Sequence, residues 1–261
     1  MATLLENSVS HPLLLTKIGK PRLTSDLVPR PHLIKYLNRG LDRILTLVSV
    51  PAGFGKTTLV LSWLEVCQKS SVWLSLDEND NDLVLFLTYL VAVVRTRYPQ
   101  ACENTSWFLE ANRLPPLDYV ATSLINDIID IDEPFIMAFD EYHHIQGEII
   151  QGLMTCLIKA QPKQLHIVLI SRSDPPLPLA WLRANHLMNE VRASDLRFSE
   201  REAELFLQRA VEKVLIQRRL PVYVSAPKDG SFVYAWLLFL YKRGQIQRQF
   251  SMDFGVTPVI S

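Results

Sequence analysis

Residues 43–64, RILTLVSVPAGFGKTTLVLSWL, pass from one structural pattern to another across a single glycine-bearing bend. The first part, RILTLVSV (43–50), is β-branched and continuously apolar, the pattern of a strand buried on both faces. From Lys56 onward the apolar residues Leu59, Val60, Trp63 and Leu64 return at helical spacing. A doubly buried strand needs cover on both sides, and a helix that opens directly after it supplies one of them. This combination confines the chain to a layered α/β fold before any other segment is considered.

The alternation repeats. SVWLSL (71–76), PFIMAFDEYHH (134–144) and LHIVLISRSDPP (165–176) read as three further strands, the last two ending in polar residues. Helices are expected at 33–37 with Gly40 as the stop, 83–97, 118–130, 149–158 and 179–184. A short strand follows near Asn189, and Ser199 with Glu202 three residues on makes a capping box for a later helix. Residues 99–116 read as irregular. The expected fold is therefore α/β, a parallel sheet covered by helices on both faces, plus a short, mostly helical C-terminal tail. The expected division is a flexible stretch over 1–16, the sheet domain over 17–210, and an atypical segment over 211–261. The apolar run Phe232–Tyr241 in that tail is about half of the ~20 residues a membrane helix needs, and reads as a buried helix.

The composition narrows the class. Apolar residues make up 48% and charged residues 21%, and the formal net charge is zero, so the overall balance offers no nucleic-acid or membrane surface. Cys67, Cys102 and Cys156 share no short spacing, which argues against a disulfide framework or zinc site built on them and fits a reducing cytoplasm. No secretory signal is visible in the sequence, and none is expected. Trp63, Trp73 and Trp181 lie in apolar patterns and read as packing residues.

The bend carries the chemistry. Pro51, Ala52, Gly53, Phe54 and Gly55 link strand to helix, and such a link aims successive backbone N–H groups into one concavity at a helix N-terminus. Gly53 and Gly55 can adopt conformations other residues avoid and let phosphate oxygens approach. Lys56 would reach the β- and γ-phosphates, the Thr57 hydroxyl would ligate Mg²⁺, and Thr58 would bond the α-phosphate. The full phosphate-loop pattern, G-x-x-x-x-G-K-[ST], has Val50 in place of its first glycine. A Mg²⁺ carboxylate is expected from a strand beside the loop strand. Asp140 closes the run FIMAF and fits, with Glu141 as the group that orients or deprotonates an attacking water; the plain alternative is two solvated turn acids. Arg172 after the fourth strand either senses the γ-phosphate or pairs with Asp174 or solvent. His143 and His144 are adjacent, with no third metal ligand apparent in the sequence, and read as surface or packing residues. The acidic run Asp77–Asp82 lacks EF-hand spacing and reads as a solvated turn.

Four segments together resemble a known family: KPRLTSDLVPRPHLIKYLNRGLDRILTLVSVPAGFGKTTLVLSWL, WLSLDENDNDLVLFLTYLVAVVR, DEYHHI and SRSDPPLPLAWLRANHLMNEVRASDLRFSEREAELFL. In this order they look like the ATPase module of MalT-like regulators, large LuxR-type ATP-binding transcription activators of the STAND class of P-loop NTPases. The resemblance covers residues 16–210. It implies a switch that rests as an ADP-bound monomer, self-associates with ATP and an inducer, and resets by slow hydrolysis. It also implies that the segment with Pro29 and Arg30 closes over the adenine or phosphate side. Gly53, Gly55, Lys56, Thr57 and Thr58 would contact phosphates, Asp140 would serve Mg²⁺ and Arg172 would act as sensor. Family members continue through winged-helix, helical-repeat and helix-turn-helix regions. This sequence shows no helix-turn-helix, so direct DNA binding is not expected of it. It reads as a truncated or frameshifted member or a stand-alone module: an ATPase, a non-hydrolysing interaction module that associates in response to nucleotide, or a degenerate regulator that does not fold stably.

Overall fold

The computed structural model describes residues 13–23, 27–111 and 114–217. Its centre is a five-stranded parallel sheet in the order β2-β3-β4-β1-β5, formed by β1 (Leu45–Ser49), β2 (Ser70–Ser75), β3 (Phe135–Asp140), β4 (Leu165–Ser171) and β5 (Met188–Val191). Every residue of β1, β3 and β4 is buried, as their unbroken apolar runs require. The period of two in a strand then divides their side chains between two cores. Leu45, Leu47, Met137, Phe139, Ile167 and Leu169 enter one, while Val48, Ile136, Ala138, Val168 and Ile170 enter the other.

The helices divide in the same way. Helices α3 (Leu83–Arg95), α5 (Leu117–Ile129) and α6 (Glu148–Ala160) cover the first core, and α1 (Pro31–Asn38) and α2 (Lys56–Val66) cover the second. The short α7 (Leu179–Ala184) leads into β5; α8 (Ala193–Leu196) and α9 (Glu200–Gln217) follow it. α9 opens on the expected capping box: the Glu202 carboxylate accepts from the Ser199 N–H at 2.8 Å, and the Ser199 hydroxyl accepts from the Glu202 N–H at 3.3 Å. α9 continues through Gln217; the run 232–241 and the rest of the expected tail lie outside the described residues, as do residues 1–12. The terminal strand β5 pairs with β1, and the carbonyls of Met188 and Glu190 accept from Arg43 Nη1 (2.7 Å) and the Tyr36 hydroxyl (2.9 Å).

Three expectations are corrected. The segment 99–116 contains a helix, α4 (Glu103–Glu110), whose N-cap is Cys102 in the left-handed region with no side-chain cap. The missing cap comes from α5: buried Asp127 accepts from the backbone N–H groups of Asn104 (3.3 Å) and Thr105 (2.8 Å). The turn at Asp77–Asp82 is not simply solvated, because Lys17 places its ammonium 2.8 Å from Asp77 and 2.7 Å from fully buried Asp80. Burial pulls the Lys17 pKa down, but the two carboxylates outweigh it and leave it raised. Trp63 and Trp73 are buried as expected, whereas Trp181 is 38% exposed.

Candidate functional site

β1 ends at Ser49, yet Val50 continues the strand for one residue, its N–H donating to the Ser171 carbonyl at 3.1 Å and its side chain filling the second core. This explains the missing first glycine, since an extended, paired and buried position favours a β-branched residue. The chain then turns at Gly53 (φ 86°) and Gly55 (φ 76°). A Cβ added to Gly55 would meet nothing within 4 Å, so glycine is required there by the left-handed backbone and the side facing outward is open. Gly55 caps α2 without any side chain, which leaves the first N–H groups of that helix directed at the opening.

Around this opening lies a cavity of about 290 Å³ whose walls include Gly53, Lys56, Thr57, Thr58, Glu141 and Arg172, with Ala52 and Gly55 completing the loop side. Lys56 is buried and its ammonium donates to the Pro51 carbonyl at 3.3 Å. Burial lowers its pKa, partly offset by Glu141 and Asp140. The Thr57 hydroxyl lies 3.1 and 3.2 Å from the two oxygens of Asp140. Asp140 is buried, and burial raises its pKa against the opposing bonds from the Glu141 N–H and Thr57.

The pairing of Thr57 with Asp140 arises differently from the sequence expectation. β3 is not beside β1; β4 separates them. Asp140 nonetheless meets the first turn of α2, and the helix packs on the same side of the sheet as β3: Leu59, Val60, Trp63 and Leu64 share one core with Val168 of β4, Ile136 of β3 and Trp73 of β2. The Thr57–Asp140 contact places the first turn of α2 at the end of β3.

Glu141 has a non-glycine positive φ of 55°. Arg172 Nη2 donates to its Oε2 at 3.0 Å, and His143 Nε2 lies 3.4 Å from the same oxygen. Burial lowers the His143 pKa. Arg172 does not pair with Asp174, which binds Ser49 at 2.7 Å and the guanidinium of Arg192. Phe54 packs against the second core and faces a larger cavity of about 1630 Å³ with Pro29, Ile34, Leu59, Phe198 and Phe206. Arg30 lines that cavity, but its guanidinium points away from the loop. It binds Glu202 at 3.0 Å and the carbonyls of Leu196 (2.9 Å) and Arg197 (2.8 Å). Neither the Glu202 partner nor the Asp174–Arg192–Glu190–Arg183 cluster near the ends of β4 and β5 has a local sequence signal, since each joins residues distant in the chain or ordinary surface charges.

A buried parallel strand, a glycine turn capping a helix, and a helix hydroxyl paired with a carboxylate from another strand end define a P-loop α/β domain. Over about three quarters of its length the chain is a homologue of the HTH-type transcriptional regulators MalT. It is 31% identical over 194 residues to the MalT of Yersinia enterocolitica and 32% identical over 195 residues to that of Serratia proteamaculans, in each case 74% of this chain and 21% of the relative. The chain thus spans about one fifth of the length of these relatives. No protein-family model matches. Among solved structures, C. elegans PCH-2 aligns with 76% of this chain and 49% of its own at 13% identity and a TM-score of 0.41. The fold class follows from the strand order and the loop geometry. No described helix is long and apolar enough to cross a membrane.

Proposed function

We propose that this chain binds ATP and ADP with Mg²⁺ at the glycine loop and hydrolyses ATP slowly, as the nucleotide switch of a MalT-like transcriptional regulator. The observation that carries this is the Thr57–Asp140 contact at 3.1 Å in the mouth of the loop. A hydroxyl and a carboxylate are the hard oxygen donors that Mg²⁺ takes, directly or through water, and the residues present fit that ion. When bound, Mg²⁺ neutralises charge on the phosphates. The open side at Gly55, the N–H groups of the first turn of α2 and the buried ammonium of Lys56 provide a phosphate cradle. The larger, mostly apolar cavity takes the nucleoside, and Arg30 ties the N-terminal wall of that cavity to the α8–α9 wall. Nucleotide-dependent self-association belongs to the same proposal.

Glu141 favours a second reading, a binding module without useful turnover. Its carboxylate is already engaged by Arg172, so orienting a water requires that contact to open. The two are separated on the purified full chain. MgATP or MgADP should raise the melting temperature, and Lys56→Ala should weaken binding at least about tenfold, the scale of losing a buried charged hydrogen bond of ~1.5–3 kcal/mol. Slow phosphate release abolished by Glu141→Gln supports hydrolysis. Retained nucleotide with no release, unchanged by Glu141→Gln, supports the module. No stabilisation by either nucleotide rejects both.

A further inference from the structure

We infer that Glu141, His143 and His144 form a transition-metal site of the zinc class, beside the Thr57–Asp140 pair and separate from it. One ligand atom from each of the three residues lies within 4.8 Å of the others. Tetrahedral zinc with bonds of about 2.0–2.1 Å needs ligand atoms roughly 3.3 Å apart. His143 Nε2 and Glu141 Oε2, at 3.4 Å, already hold that spacing. The two imidazoles face each other with centroids 4.3 Å apart and planes tilted by 36°. His144, whose side chain is partly exposed, has room to rotate toward the other two ligands.

The backbone beneath the site is fixed by other groups. The three residues sit on a single 3₁₀ turn, Tyr142–His144, with Glu141 as its N-cap in the left-handed region. Tyr142 is fully buried and bonds Gln151 at 3.0 Å, and Ile145 is buried. Asn81 donates to the His144 carbonyl at 2.8 Å and accepts from the N–H groups of Gln146 and Gly147. Burying Tyr142 and Ile145 leaves the two histidines between them turned to the same side as Glu141. The imidazoles have little else to do: His143 Nδ1 is buried with no partner, and His144 comes no nearer than 4.0 Å to the carboxylate of Glu78. Glu78 is exposed and within reach as a fourth ligand. The competing cation is Arg172, half-exposed and bound to the Glu141 oxygen that the metal would take. Zinc and Arg172 therefore exclude each other at Glu141. Where Glu141 serves hydrolysis, which rests on the proposed function, zinc would also slow turnover.

The test is a calorimetric titration of the full chain with zinc chloride at pH 7 in the absence of nucleotide, so that its outcome is independent of nucleotide binding. One zinc per chain is expected. His143→Ala and His144→Gln should each weaken it at least about tenfold, with the double variant losing it, in keeping with the dependence of metal sites on each ligand. Arg172→Ala should tighten it by removing the competitor. Asp140→Asn and the pair Cys67→Ser with Cys156→Ser should leave it in place. Zinc should raise the melting temperature of the wild type and not of the double variant, which is first shown to melt cooperatively without metal. Absence of binding to the wild type, unchanged binding in His144→Gln, or loss of binding in the cysteine variant would overturn the site.

Discussion

Buried His166 sets a measurable acid sensitivity. It is 4% exposed on β4, its Nδ1 lies 2.7 Å from the Arg43 carbonyl and its Nε2 2.9 Å from the Thr46 hydroxyl. Burial pushes its pKa from 6.5 down to about 4, against the opposing effect of that carbonyl. Between these values the unfolded chain binds a proton that the native chain does not, so stability falls as pH falls. The loss starts near pH 6.5, approaches about 1.4 kcal/mol per pH unit, and is complete below about pH 4. Integrated from pH 7 to pH 5, this one group removes about 1.8 kcal/mol, or roughly 4–7 °C in melting temperature for a domain of this size. The comparison protein is Thr46→Val with His166→Phe, which keeps an aromatic ring beside Trp63 and has no proton to gain. Loss of the bond to the Arg43 carbonyl costs it about 1–3 kcal/mol at every pH. Urea unfolding of both proteins at pH 7, 6 and 5 gives the difference directly, and His143, whose pKa is also lowered, is common to both and cancels. Equal pH slopes in the two proteins, or an NMR titration of His166 with a midpoint near 6.5, would refute the calculation.

Two further substitutions probe the site and its support. Because burial raises the Asp140 pKa, its charge opposes folding, so Asp140→Asn should raise the melting temperature of the nucleotide-free protein while removing the Mg²⁺-dependent part of nucleotide affinity. A Cβ on Gly40 would lie 2.6–2.8 Å from the side chain of buried Asn189, so Gly40→Ala should cost about 1–3 kcal/mol in urea unfolding by forcing β5 away from α1.

What was legible in the sequence was what is encoded locally. The runs at 43–50, 134–140 and 165–171 announce doubly buried strands because each residue's environment is reflected in its own side chain. The glycine turn is legible because φ values of 86° and 76° leave little choice of residue. The ending of α9's predecessor loop at a capping box is equally local. The order of strands is not: nothing in FIMAFD states that β4 will lie between it and β1. Thr57 meets Asp140 through the packing of α2 on the sheet, a property of the assembled layers. α4 has no signal of its own in the sequence, because its cap is supplied by Asp127 from the following helix. The histidine pair gained its third partner only when the left-handed turn at Glu141 brought that carboxylate back over the 3₁₀ turn.

The side-chain bonds on the rim of β5 have a consequence for how such domains can meet. Tyr36 and Arg43 occupy carbonyl acceptors of the terminal strand that an incoming chain would need for ladder pairing. Lateral growth of the sheet on that flank is thereby blocked unless both donors let go. An association of such domains on that flank would have to be made by helices and loops, where contacts form and release without unzipping a strand.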